Sequence, residues 1–149
     1  MQKKIKAIIV DLDGTLCDVE HRVHHVNNGA KNWREFNALM VHDSLNDWCF
    51  ELIEAMSARG YKIIFVTGRD EAYRKPSEEW LKKHTVNYEH LFMRSAIDMR
   101  ADSDVKEEIY LEKIEHFYQV LFVVDDRKSV VERWRKLELV CLQCAPGNF

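Results

Sequence analysis

Asp11 and Asp13 stand one residue apart at the end of an apolar run, and Gly14 and Thr15 follow at once. Two carboxylates in one tight turn repel each other unless a positive charge sits between them. A magnesium ion supplies that charge, because hard cations take oxygen ligands and few protein carboxylates. The plainer alternative is a solvated turn in which an Asp side chain bonds nearby backbone. Thr67, Gly68 and Arg69 close a second apolar run. A hydroxyl and free amides at a strand-to-helix turn make a cradle for a phosphate oxygen, although Thr-Gly also simply ends strands. Asp125, Asp126 and Arg127 close a third run. Two adjacent acids after apolar residues are hard to explain by burial, while Asp126 could serve only as a helix cap. Lys106 falls in the first turn of a helix, where a lone lysine is more often a surface residue.

The order of these features is more specific than any one of them. Asp-x-Asp-Gly-Thr, a strand-end Thr, a helical Lys and a strand-end Asp pair resemble the haloacid dehalogenase superfamily of phosphohydrolases, over Ile8 to Arg127. The stretches 102–114 and 124–135 and the tail 141–149 look like the phosphatase half of phage-type polynucleotide kinase/phosphatases, so the likeness spans nearly the whole chain. No Gly-x-x-x-x-Gly-Lys-Ser/Thr loop is present, so a 5′-kinase activity is not carried over.

The resemblance implies that Asp11 is the nucleophile, forming an aspartyl-phosphate, and that Asp13 is the general acid and base. It implies Mg²⁺ held by Asp11, the main-chain carbonyl of Asp13, and Asp125 with or without Asp126. Thr67 and Lys106 are expected to hold phosphoryl oxygens. Gly68, Arg69, Arg94, Arg100 and Arg127 complete the candidate substrate contacts, with solvated arginines as the alternative for Arg94 and Arg100. Asp13 favours a phosphatase over a dehalogenase, which needs no acid there. Phosphoryl transfer depends mostly on positioning and charge neutralisation, so one divalent cation and one lysine suffice.

Such residues must be set by strand ends. Ile5–Val10, Tyr61–Val66, Val120–Val124 and Leu139–Leu142 are apolar runs rich in β-branched residues, and His90–Met93 is a weaker fifth. Apolar rather than alternating runs suit strands buried on both faces of a parallel sheet. Leu45, Trp48, Cys49, Leu52, Ile53 and Met56 mark one helix face, with a capping box expected at Ser44 and Asp47 and a stop at Gly60. Glu71–His84, Asp104–Phe117 and a segment carrying Val130, Trp134 and Leu137 read as further helices. This alternation predicts an open, mostly parallel Rossmann-like α/β sheet with helices on both faces. Ligands then sit beyond the C-terminal strand ends, where strand order reverses.

The chain of 149 residues, 46% hydrophobic and 11% aromatic, reads as a single domain spanning residues 1–149. A net charge of −3 argues against broad adhesion to nucleic acid or anionic membrane. No apolar run approaches the ~20 residues a spanning helix needs, and the N-terminus does not read as a cleavable leader, so a soluble, cytoplasmic protein is expected. The Cys141–Cys144 spacing suits half a zinc site, but no second pair completes it, and small buried hydrophobes are the plainer reading. His21, His24 and His25 fall in a polar flap or loop; a second metal site there would need converging ligands and a supporting shell, and plain solvated histidines are the simpler reading.

Neither the stretch before Thr67 nor that before Lys106 has room for a lid domain of ~50 residues, so an open cleft is expected. The expected function is a Mg²⁺-dependent phosphomonoesterase acting on nucleic-acid or nucleotide ends, with 3′-phosphate first. A small-metabolite phosphatase and a noncatalytic phosphate-binding module are the alternatives. Arg94, Arg100 and the basic segment 127–136, if they track a strand, would give about three phosphate contacts and a log K against log salt slope of roughly −2.

Overall fold

A computed structural model of the chain describes residues 3–27, 29 and 31–147; Met1 and Gln2, and Asn148 and Phe149 of the tail noted above, lie outside the described residues. In chain order the elements are β1 (Ile5–Val10), β2 (Cys17–Asp18), α1 (Trp33–Ala38), β3 (Ser44–Leu45), α2 (Asp47–Ala58) and β4 (Lys62–Asp70). They continue with α3 (Arg74–Lys83), β5 (His90–Arg94), α4 (Asp102–Ile109), β6 (Tyr118–Asp125), α5 (Lys128–Lys136) and β7 (Cys141–Gln143). Five strands form one sheet in the order β5-β4-β1-β6-β7, and every pairing in it is parallel. The expected α/β architecture is therefore the one observed.

Alternate residues of β1 explain why its sequence is apolar from Ala7 to Val10. Ile8 and Val10 pack with Cys49 and Ile53 of α2 and Trp80 and Leu81 of α3. Ala7 and Ile9 pack on the other face with Val105 and Ile109 of α4 and Val130, Val131 and Trp134 of α5. Each fully buried side chain of this size contributes ~1.5–3 kcal/mol, so the central strand is anchored from both sides. That anchoring sets the position of whatever follows Val10.

Some boundaries differ from expectation. Ser44 pairs with Asp18 in the small β2–β3 ribbon, and α2 starts behind Asn46, whose amide group donates to the Thr15 carbonyl at 2.8 Å. The cap position is thus spent on tying α2 to the Asp11 turn. Trp48 is 47% exposed although the helical spacing puts it on the buried side. Strand β4 runs past Val66 to Asp70, because Asp70 still pairs with Arg94 of β5 after a register shift. The third expected helix, Asp104–Phe117, is split: α4 passes into a π-helical turn at Tyr110–Ile114. The short helix α1 lies in the segment read as a flap or loop. No described helix is long and apolar enough to cross a membrane.

Candidate active site

The site lies where β1, β4 and β6 end. The Asp11 amide donates to the Val124 carbonyl at 3.0 Å, tying the end of β1 to β6. The chain then turns through Gly14, whose φ of +81° lies in the left-handed region. A side chain at Gly14 would collide with the Asp126 carboxylate, so glycine is what lets Asp126 approach. Thr15 donates its hydroxyl to Asp11 Oδ2 at 3.2 Å.

Lys106, on α4, is 3% exposed, not a surface residue. Its Nζ donates to Asp11 Oδ1 and to Asp125 Oδ2, both at 2.9 Å. Asp125 is further fixed by the Trp134 indole N–H at 3.2 Å and the Asp126 amide at 2.9 Å. Carboxylate oxygens of Asp11, Asp125 and Asp126 all lie within 4.8 Å of one another. Burial, reinforced by Asp125, pushes the Asp11 carboxyl well above its ordinary range, and burial with Asp125 pushes Asp126 up to about 7. Burial works against the Lys106 charge, but Asp11 and Asp125 hold its pKa above the ordinary lysine value.

When all three are ionised, three carboxylates against one lysine leave two negative charges in a buried pocket, and Asp126 Oδ1 is buried there without a partner. A hard divalent cation fits both facts. Asp126 does not cap α5, whose N-cap is Arg127.

Asp13 occupies a second, electrically balanced compartment. Arg69 donates from Nη2 to Asp13 Oδ1 at 2.6 Å, and Arg22 from Nη2 to the same oxygen at 2.5 Å. Arg22 also grips Asp43, from Nε at 2.8 Å and Nη2 at 2.6 Å, and donates to the Phe36 carbonyl at 2.9 Å. Two arginines thus face two aspartates. Although burial alone would raise it, Arg69 and then Arg22 hold the Asp13 carboxyl well below the usual range. Arg69, expected among the substrate contacts, is 1% exposed and also donates to Ser77 Oγ at 3.0 Å.

A cavity of about 290 Å³ opens above both compartments, lined by Asp11, Asp13, Lys106, Asp125 and Asp126 on its floor and by Trp33 and Met99 among the residues around them. Gly68, Arg69, Arg94, Arg100 and Arg127 also line it. Thr67 is buried, and its hydroxyl accepts from the Arg69 amide at 3.2 Å. Arg94 donates to the Gly68 carbonyl at 2.8 Å and pairs with Asp102, and Arg127 donates to Asp102 Oδ2 at 2.7 Å. Arg100 pairs with Asp98 at 2.8 Å and Glu108 at 2.6 Å. The rim arginines therefore carry internal partners. His21 bonds Asp43 at 2.7 Å through Nε2. Cys141 is buried, and Cys144 Sγ lies 3.7 Å from the Thr15 hydroxyl.

A parallel α/β sheet with an acid–lysine cluster at its central strand ends defines a phosphatase of the haloacid dehalogenase type. A class C acid phosphatase from Bacillus anthracis with tungstate bound shares this fold, at TM-score 0.65 and 12% identity, over 98% of this chain and 70% of that one. Residues 5–149 match the family described as the polynucleotide kinase PNKP phosphatase domain, and the chain belongs to that family. A chain in the structure of the Pnkp1/Rnl/Hen1 RNA repair complex superposes with TM-score 0.85 at 37% identity, over 98% of this chain and 44% of that chain. A protein of Autographa californica nuclear polyhedrosis virus, described as a bifunctional polynucleotide kinase/RNA ligase, is 27% identical over 137 residues. That match covers 90% of this chain and 18% of the viral protein, so the chain spans less than half the length of these relatives.

Sequence reasoning did not find Arg22, Asp43, Asp102 or Trp33. The i, i+3 apolar pair Trp33 and Phe36 was an available sign of a short helix. Arg22 and Asp43 had no local sign, since their meaning depends on a closure to Asp13 and Arg69.

Proposed function

We propose that this chain is a Mg²⁺-dependent phosphomonoesterase that works through an aspartyl-phosphate and removes 3′-phosphates from nucleic-acid or nucleotide ends. The observation that carries the chemistry is the charge division between compartments. One, around Asp11, has two excess negative charges once its three carboxylates are ionised, and an unpartnered carboxylate oxygen; the other, around Asp13, is neutralised by Arg22 and Arg69. Asp11, Asp125, Asp126 and the Asp13 carbonyl would hold Mg²⁺, which supplies charge neutralisation for a dianionic phosphoryl group. The nucleic-acid end as substrate rests on family membership and on the RNA-repair relative.

Asp11 attacks phosphorus as the bond to the leaving alkoxide breaks, and Asp13 gives that alkoxide a proton. A phosphate dianion arriving beside Asp13 raises its proton affinity, which opposes the arginines and supplies the acid form. Water then loses a proton to Asp13 and attacks the aspartyl-phosphate, releasing phosphate and restoring Asp11. Lys106 holds the Asp11 carboxylate and stabilises charge on the phosphoryl oxygens.

Single-turnover hydrolysis of a 3′-phosphorylated oligonucleotide in ¹⁸O-water is expected to put label on Asp11, and Asp11→Asn to abolish turnover with the fold intact. Label confined to free phosphate refutes the covalent route. Equal efficiency on sugar phosphates favours the small-metabolite reading, and no metal-dependent turnover leaves a binding module.

A further inference from the structure

The cavity lining is chemically mixed. Ionic Asp11, Asp13, Lys106, Asp125 and Asp126 share it with Trp33 of α1 and Met99 of the loop between β5 and α4. A volume of about 290 Å³ corresponds to roughly ten waters at ~30 Å³ each, well beyond the five heavy atoms of a phosphate group. Room is left beside a phosphate for a flat group, and the lining offers it an aromatic ring and a thioether.

Both groups are held ready. The Arg127 guanidinium lies 5.3 Å from the Trp33 ring, and Phe36 meets that ring edge-on at 5.5 Å and 85°. Arg127 is itself anchored on Asp102, so the indole is preoriented before anything binds. The 95–101 loop is ordered by charge, not by its apolar side chains. Arg94 gathers the carbonyls of Asp98 and Arg100 at 3.2 and 2.6 Å, and Arg100 clips Asp98 to Glu108. Ile97 and Met99 are left 88% and 90% exposed. Single exposed apolar residues are ordinary. An exposed methionine on a charge-locked loop, lining the same cavity as a preoriented tryptophan, is a contact surface for a flat apolar ligand.

We infer that Trp33 and Met99 clamp the nucleobase of the nucleoside that carries the scissile phosphate, making the site selective for base-bearing phosphomonoesters without reading base identity. The inference rests on the phosphomonoesterase reading above. Every base has a π-face, so such a grip is tolerant of sequence, and loss of one stack costs roughly 5- to 150-fold. A sugar phosphate offers no such face.

The test compares kcat/KM for an oligonucleotide bearing its 3′-phosphate on an ordinary terminal nucleoside with that for the same strand ending in an abasic 3′-phosphate. Wild-type protein is expected to favour the base-bearing strand by roughly 5- to 150-fold, mostly through KM. Trp33→Ala brings that ratio toward one, and Trp33→Phe restores most of it. Met99→Ala, at a position 90% exposed, lowers the ratio by roughly 2- to 12-fold and serves if Trp33→Ala unfolds. A wild-type ratio near one, or a ratio unmoved in the folded variants, overturns the clamp alone. No turnover of either strand by wild type overturns the phosphomonoesterase reading and the clamp with it.

Discussion

Lys106 brings its charge to a position that is 3% exposed, between two carboxylates that would otherwise repel. Removing one preorganised donor to a developing oxyanion costs ~10²–10³ in turnover, and Lys106→Ala is expected in that range. Because both partners are buried, the same change also leaves uncompensated charge, at a cost of about 3–5 kcal/mol in metal-free buffer. Urea unfolding checks this, with Mg²⁺ expected to recover part of the loss; unchanged stability would mean that the lysine is not paired in solution. Asp126 adds a pH dependence. Its folded pKa of about 7 lies above the ordinary 3.8, so without metal its stability contribution is full below about pH 4 and is lost as pH rises toward 7. Thermal melts in EDTA should therefore fall between pH 5 and 7.5, and Mg²⁺ should restore most at the higher pH, where it need not displace a proton. A melt flat with pH in EDTA would contradict that reading.

At the scale of elements, the segment from β2 through α1 to β3 adds no strand to the five-stranded sheet, and it is held against it by buried Val19, Val26, Phe36 and Met40 and by ions. Asp43, with a fully buried side chain, takes Arg22 and His21, and its carbonyl accepts from the Trp80 indole of α3 at 3.0 Å. Asp43→Ala leaves Arg22 short of a partner, so about 3–5 kcal/mol of stability should go. The freed guanidinium then sits more closely on Asp13, which further disfavours the acid form. A fall in kcat larger than any rise in KM is expected, measured beside the urea midpoint. Loss of stability with kcat intact would confine Asp43 to structural support. The cap lost at Asn46 belongs here too: α2 begins where a bond to the Asp11 turn outweighs a local helix start.

Across the whole molecule, the basic residues that read as a phosphate track are mostly engaged within the chain. Arg94 and Arg127 share Asp102, Arg100 holds Asp98 and Glu108, Arg133 holds Asp104 and Glu107, and Arg135 donates to the Cys141 carbonyl. With roughly one phosphate contact left beyond the scissile group, log(1/KM) for a 3′-phosphorylated oligonucleotide should fall against log salt with a slope of about −0.7. Measurement between 50 and 200 mM salt decides it. A slope of −2 or steeper would mean that the arginines leave their carboxylates for the substrate. A net charge of −3 is consistent with the gentler value.

The sheet and the four motif positions were readable from the chain alone, because both are local. A short β-branched apolar run such as Ala7–Val10 suits a strand covered on both faces, and the acids that follow it then emerge at a strand end. Helix positions were also readable where spacing was regular, as around Ile53 and Trp134, but not where tertiary bonds outbid the pattern, as at Ser44 and Trp48. What the fold alone decided is which charges meet. Arg69 reaches Asp13 across 56 residues of chain, Arg22 reaches Asp43 across 21, and Lys106 reaches Asp11 across 95. A charged residue looks the same in sequence whether water or a buried partner satisfies it. Only the closed structure, where desolvation makes an unpaired charge costly, separates the balanced pocket around Asp13 from the one around Asp11, where three carboxylates meet a single lysine.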